Sequence, residues 1–454
     1  MVPEKVMDLL RPFYVQDEML QKIRDDMVAE FKMGLEHGKS ATCSIAMLPT
    51  FVPALPDGTE TGKYLAIDLS GKNLRIMLLT LSGKPGQPPQ ISNHNFMIHR
   101  NVMNGTGDQL FNFIVNCLQK FLTDRDLLEA NLPIGFVFSY PCELLSIRSA
   151  RLLWWTKGFD IQDCLQKDVV KLLEDALELN MTIKARVKAV MNDTVGQLAA
   201  AAYKYGNDCV AGVVIGYGCN SSYLEEVGNI KKFDAEKAAY KHQKMVVVTE
   251  WEEYGSRGEL DSILTEFDRE NDGNSVHKGK QIIDKLTGAL YLGELVRMIC
   301  SQLVVEGVLF GGHTCDRLET RDGFPSKYIS EIMSDEGSKT NYKDCRRIMD
   351  ELEVPIHGIG DYLIMKEICY AVSQRSASIA AAAIAALLKH LQRPKIQIGV
   401  GGALIQFHPI YRKLLHDKLA ELAPENVEWE IVEAEEGGGQ GAALVAAIAD
   451  KLKL

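Results

Sequence analysis

The stretch YLAIDLSGKNLRIMLLTL, residues 64–81, decides how this chain reads. Residues 64–69 are a short, mostly apolar run with Asp68 near its end. Ser70-Gly71-Lys72-Asn73 follows, and residues 74–81 are apolar again. Turn chemistry between two apolar runs predicts a β-hairpin. A weaker copy lies in the other half of the chain. Residues 209–215 are an apolar strand, Gly216-Tyr217-Gly218-Cys219-Asn220 is a turn, and residues 221–226 return. Two strand–Gly-turn–strand units in separate halves predict a duplicated α/β architecture.

Around these units, helical spacing with many charges marks residues 3–38, and a Pro/Gly-punctuated linker spans 49–62. Helices are expected at 109–123 and 161–178, and strands at 134–138 and 187–191. Residues 377–388 are Ala-rich and too short to span a bilayer, so they read as a buried helix. A strand at 396–400 runs into Gly401-Gly402, and Glu435-Glu436-Gly437-Gly438-Gly439-Gln440-Gly441 leads into an Ala-rich terminal helix.

Length and composition narrow the classes. A chain of 454 residues is too long for one ordinary core and predicts two large domains. A content of 46% hydrophobic and 24% charged residues is that of a soluble globular protein. A net charge of -11 excludes a non-specific nucleic-acid binder, which needs a basic surface. The 10 cysteines are scattered without metal spacing, and the first residues carry neither an apolar nor an Arg-rich leader. Reduced thiols, a cytoplasmic location and no membrane insertion are expected.

Three further segments carry chemistry. They are Phe138-Ser139-Tyr140-Pro141, Trp155-Thr156-Lys157-Gly158-Phe159 and Asn192-Asp193-Thr194-Val195-Gly196. Ser139, Thr156 and Asn192 donate and accept hydrogen bonds, Lys157 supplies a cation, and Asp193 can take a proton from a hydroxyl. Such a set suits a polyhydroxyl ligand with one carboxylate facing the hydroxyl that reacts. Alone, Asn192-Asp193-Thr194 reads as a helix N-cap and Thr156-Lys157-Gly158 as a solvated turn. The ordered set is what favours a site.

In order and spacing these motifs resemble the sugar-site motifs of the hexokinase and glucokinase family, over nearly the whole chain. The resemblance implies the actin-like ATPase fold, a ribonuclease H-like α/β unit duplicated into two domains around a cleft. It implies a helical region 1–63 packed on the large domain, a small domain 64–192 completed by the helix 436–454, and a large domain 193–435. It assigns Ser139, Thr156, Lys157, Asn192, Asp193, Asn220 and Glu250 to the hexose. Asp284 aligns with a family Glu and is one methylene shorter. Asp193 is then the general base, with Lys157 balancing charge beside the reacting hydroxyl.

The nucleotide motifs depart from the family. Its Asp-Leu-Gly-Gly-Thr-Asn-x-Arg is here Asp68-Leu69-Ser70-Gly71-Lys72-Asn73-Leu74-Arg75. Its second loop carries a hydroxyl where Tyr217 stands, and its Gly-Val-Asp-Gly-Ser/Thr is Gly399-Val400-Gly401-Gly402-Ala403. The Mg-ATP contacts implied are Asp68, Gly71, Lys72, Asn73, Arg75, Gly216, Gly218, Cys219, Gly402, Gly437 and Gly439. No residue binds metal directly; Mg²⁺ arrives on ATP, near Asp68. Two outcomes stay open: an active hexokinase taking hexose and ATP as a monomer or weak dimer, or a weak or inactive homologue that senses sugar. Lys72→Thr, Tyr217→Thr and Gly401→Asp together are expected to restore the phosphate loops.

Overall fold

The structure is a computed structural model that describes residues 2–69, 73–155, 159–206, 208–335, 342–434 and 437–454. Its strands, in chain order, are β1 (Leu48–Pro49), β2 (Thr61–Leu69), β3 (Asn73–Ser82), β4 (Gln90–Met97), β5 (Leu132–Phe138), β6 (Cys142–Ser146), β7 (Ser149–Leu152), β8 (Ala185–Met191), β9 (Cys209–Ile215), β10 (Cys219–Glu226), β11 (Lys244–Val248), β12 (Lys395–Gly401) and β13 (Glu428–Glu433).

The stretch at 64–81 is a hairpin. β2 and β3 pair antiparallel from Thr61 opposite Ser82 to Leu69 opposite Leu74. One sheet has the order β4-β3-β2-β5-β8, with β2, β5 and β8 parallel. The other has the order β1-β11-β10-β9-β12-β13, with β9, β12 and β13 parallel. Apart from the edge strand β1, the two orders map strand for strand: hairpin, third antiparallel strand on one side, two parallel crossovers on the other. The duplication expected from the two Gly-turn units is therefore present in the topology. The interior parallel strands β5 (LPIGFVF) and β9 (CVAGVVI) are near-continuous apolar runs because both faces of each sheet are covered there.

Three layers of core hold the sheets. One face of the first sheet packs on helices Gly107–Thr123 and Val169–Asn180 through Leu65, Ile67, Phe136, Leu118 and Leu173. The second sheet shares its core with helix Asp17–His37 and the long helix Ile359–Leu391. That long helix is apolar and long enough to cross a membrane, but 94% of its most apolar window is buried inside the protein. Between the sheets, Met77 and Val137 meet Leu198, Val246 and the Ala-rich face of helix Gly437–Lys451.

Two expectations need correction. The helix expected over 161–178 is a 3-10 turn, Gln162–Cys164, followed by helix Val169–Asn180. Asp168 causes the break. Its carboxylate caps Val170 N at 3.0 Å and also accepts from Ser149 Oγ and Ala150 N of β7, which ties the helix start to that strand. The linker expected over 49–62 begins as sheet: β1 pairs with β11, and Thr50 and Val52 continue the bonding to Val246.

Candidate active site

The two hairpins open onto one cleft of about 560 Å³. The first hairpin contributes Asp68, Asn73 and Arg75, and the end of β5 contributes Ser139. The second contributes Gly216, Gly218, Cys219 and Asn220. Asn192 and Asp193 enter at a helix start, Glu250 after β11, Asp284 from helix Ile282–Thr287, and Gly402, Gly437 and Gly439 from the C-terminal part. Every expected site residue that is described thus lines the same cavity. Gly71, Lys72, Thr156 and Lys157 lie outside the described residues. Trp155 and Phe159, on either side of residues 156–158, stack at 5.4 Å, and Trp155 packs edge-on to Tyr140 at 4.9 Å. Trp155 is buried in the core.

Helix Asp193–Tyr205 separates capping from chemistry. Asn192 is the N-cap: its Oδ1 accepts from Thr194 N at 3.0 Å and Thr194 Oγ1 at 2.9 Å. Asp193 is the first helical residue. Its backbone N–H donates to Ser139 Oγ at 3.1 Å, which ties the helix start to the end of β5. Its carboxylate takes no hydrogen bond or ion pair from the described residues, is half-buried and faces the cleft. The capping duty that Asn192-Asp193-Thr194 implied in isolation falls on Asn192 alone.

Across the cleft lies a set of polar groups. Asn220 Nδ2 donates to Glu250 Oε1 at 3.1 Å, and Asn220 Oδ1 accepts from Ser221 N and Thr249 Oγ1, so its amide is oriented. Glu250 holds a left-handed backbone (φ 56°), which turns its carboxyl inward after β11. Asp284 Oδ1 accepts from Cys219 N at 2.7 Å. Its carboxylate lies so close under Gly218 that any Cβ there would collide with it. The shorter Asp is therefore braced against the second Gly turn. Glu252, which no motif pointed to, also lines the cleft. Burial raises the Glu250 and Glu252 carboxyls. Glu252 is pushed furthest, because it also faces the Glu250 and Asp284 carboxylates.

The Gly run 437–441 combines a place at the cleft with tight packing. It is the first turn of helix Gly437–Lys451, and its glycines serve close packing. A Cβ on Gly441 would collide with Gly196 O, and one on Gly439 with Met77 Sδ. Gly437 and Gly439 still line the cleft, so the N-terminal end of this helix faces it. Gly402, at φ 104°, presses on Ile215 at the end of β9, with 2.5 Å between an ideal Cβ and Ile215 O. At Gly401 the Asp of the family pattern would need a neighbouring side-chain end to shift. Its Cβ would stand 2.5 Å from Oε1 of Gln197, a cleft residue the sequence reading missed. Gln197 lies among apolar helix residues and matches no motif. Its one signal is that it follows Asp193 by four positions, which places both on one helix face.

Facing Gly-turn hairpins from two duplicated sheets, with a helix-borne carboxylate opposite an amide and acid set, define a two-domain sugar kinase of the actin-like ATPase fold. Residues 5–203 and 210–448 match the two family models described as hexokinase. The chain is 41% identical over 453 residues to the hexokinase of Brugia malayi, covering 99% of this chain and 78% of that one. It is 37% identical over 451 residues to hexokinase HKDC1 of Mus musculus, of which it spans 48%. The solved structure of the hexokinase from Schistosoma mansoni complexed with glucose is 35% identical, covers 98% of each chain and superposes with a TM-score of 0.90. The chain belongs to the hexokinase family.

Proposed function

We propose that this protein transfers the γ-phosphoryl group of Mg-ATP to the 6-hydroxyl of glucose or a related hexose. The observation that carries the reading is Asp193, whose carboxylate is free to face a cleft otherwise walled by Asn220, Glu250 and Asp284. Asn192, Ser139, Asn220, Glu250 and Asp284 hold sugar hydroxyls, joined by Thr156 and Lys157 on the family resemblance. Asp193 removes the proton of the attacking hydroxyl. The opposite end of the cleft suits a polyphosphate: Arg75 brings a cation, held by a 3.0 Å bond from its Nε to Asn95 Oδ1, and helix Gly437–Lys451 brings backbone N–H groups. Mg-ATP, when bound, supplies the phosphoryl group and a cation that offsets its charge. We place the hinge between residues 64–192 and 193–435, so that closure excludes water from the phosphoryl group. Ten free cysteines favour a reducing, cytoplasmic setting.

The experiment is an assay that detects hexose 6-phosphate, run beside calorimetric titration with glucose. ATP-dependent and glucose-dependent 6-phosphate formation is expected. Glucose binding with no product at any ATP concentration contradicts phosphotransfer and leaves a sugar-binding module.

A further inference from the structure

Gln197 is 3% exposed and lines the cleft. Its Nε2 is buried and has no hydrogen-bond partner among the described residues. A buried donor without an acceptor is uncommon in folded proteins and is costly to keep. One that lines a ligand cleft has an evident remedy, an acceptor on the ligand. Its position narrows which ligand. Gln197 lies one helical turn beyond Asp193, on the same face. The sugar's reacting hydroxyl meets Asp193, and the polar wall that suits the rest of the sugar is on Asn220, Glu250 and Asp284. Gln197 instead is wedged between Gly401 and Gly437. An ideal Cβ on Gly401 stands 2.5 Å from its Oε1 and 2.8 Å from its Nε2, and one on Gly437 would collide with its Oε1. Gly401 is one of the positions that depart from the family pattern on the nucleotide side.

We infer that Gln197 supplies the polar side chain at the nucleotide end of the cleft that the family pattern carries at position 401, and that its Nε2–H donates to a phosphate oxygen of the phosphoryl donor. The glycines at 401 and 437 make room for it. The inference rests on the phosphotransfer reading and assigns to that site a residue of this chain. It also changes the meaning of the altered loop, which is a coupled exchange across a helix–loop contact rather than a loss. Gly401→Asp alone then lowers ATP affinity, because the new carboxylate accepts the Gln197 Nε2–H that the phosphate would otherwise take.

The test compares the full-length wild type with Gln197→Met, which keeps the length of the side chain and removes the donor. The readouts are calorimetric affinity for ATP, calorimetric affinity for glucose, the separate KM values, and the ligand-free melting temperature. Loss of a hydrogen bond to a charged group should raise Kd and KM for ATP about tenfold or more. Glucose affinity should stay within about twofold, and melting should hold or rise, since an unsatisfied donor has been removed. Unchanged ATP affinity, or a lowered melting temperature with ATP affinity intact, overturns the assignment in favour of a purely structural glutamine. As a second arm, Gly401→Asp should lower ATP affinity, and adding Gln197→Ala should recover it. No recovery in the double variant contradicts the exchange. A wild type that binds no ATP overturns the phosphotransfer reading itself, whereas equal ATP binding by wild type and Gln197→Met overturns only the role of Gln197.

Discussion

Asn192 and Asp193 show how neighbouring residues of similar chemistry take different work. Both can cap a helix, and Asn192 does so, which leaves the Asp193 carboxylate unspent in the cleft. Glu250 and Glu252 form a second pair two positions apart. Burial and two neighbouring carboxylates oppose the charge on Glu252 and raise its carboxyl well above the ordinary glutamate range. In the unfolded chain it ionises near the ordinary glutamate value, about 4.3. Its folded pKa is therefore raised, and the stability it contributes is fully present below that unfolded value. That contribution is lost as pH rises through the folded pKa, because folding then requires uptake of a proton. Glu252→Gln removes this titration. Thermal unfolding at pH 5, 6.5 and 8 should show the variant gaining on the wild type as pH rises; a constant difference contradicts a proton held at Glu252. Ser139, Asn192, Asp193, Asn220 and Glu250 were legible in the sequence because ordered motifs carry them. Gln197 and Glu252 were not, since a glutamine in an apolar helix and a glutamate in a turn show their role only once folding sets facing segments against them.

At the level of elements, the two hairpins were readable because turn residues between apolar runs have few other solutions. The Gly run at 437–441 has two readings in sequence, because glycine serves both phosphate approach and helix contact. Here helix Asp193–Tyr205 and helix Gly437–Lys451 cross so closely that Gly196 faces the backbone of Gly438 and Gly441 faces the backbone of Gly196. A methyl group at either position must push the helices apart. Gly441→Ala should cost about 1–3 kcal/mol of stability, as overpacked contacts do. It should also lower turnover, because the two helix starts that frame the cleft move together. Chemical denaturation beside steady-state kinetics measures both, and wild-type stability in this variant contradicts the packing account. The break at 165–168 was similarly hidden, because Asp168 acts through β7, a partner that helical periodicity does not reveal.

Over the whole molecule, two sheets of matching strand order place Asp68 and Asn73 of one hairpin and the Gly turn 216–218 of the other on one cleft, with helix Asp193–Tyr205 packed between the sheets. The proposed sugar set and the proposed nucleotide end meet at that helix, with Asp193 at its start and Gln197 one turn on. The central claim is that this geometry makes Asp193 the base for attack on the phosphoryl donor while other residues bind the sugar. Asp193→Ala tests it most directly, by measuring hexose 6-phosphate turnover and calorimetric glucose affinity on the same preparation. A general base typically contributes about 10²–10⁴-fold to rate. The account predicts a fall in kcat of that order, with glucose still bound and the cooperative thermal transition retained. A variant that binds glucose and turns over at near wild-type rate contradicts it.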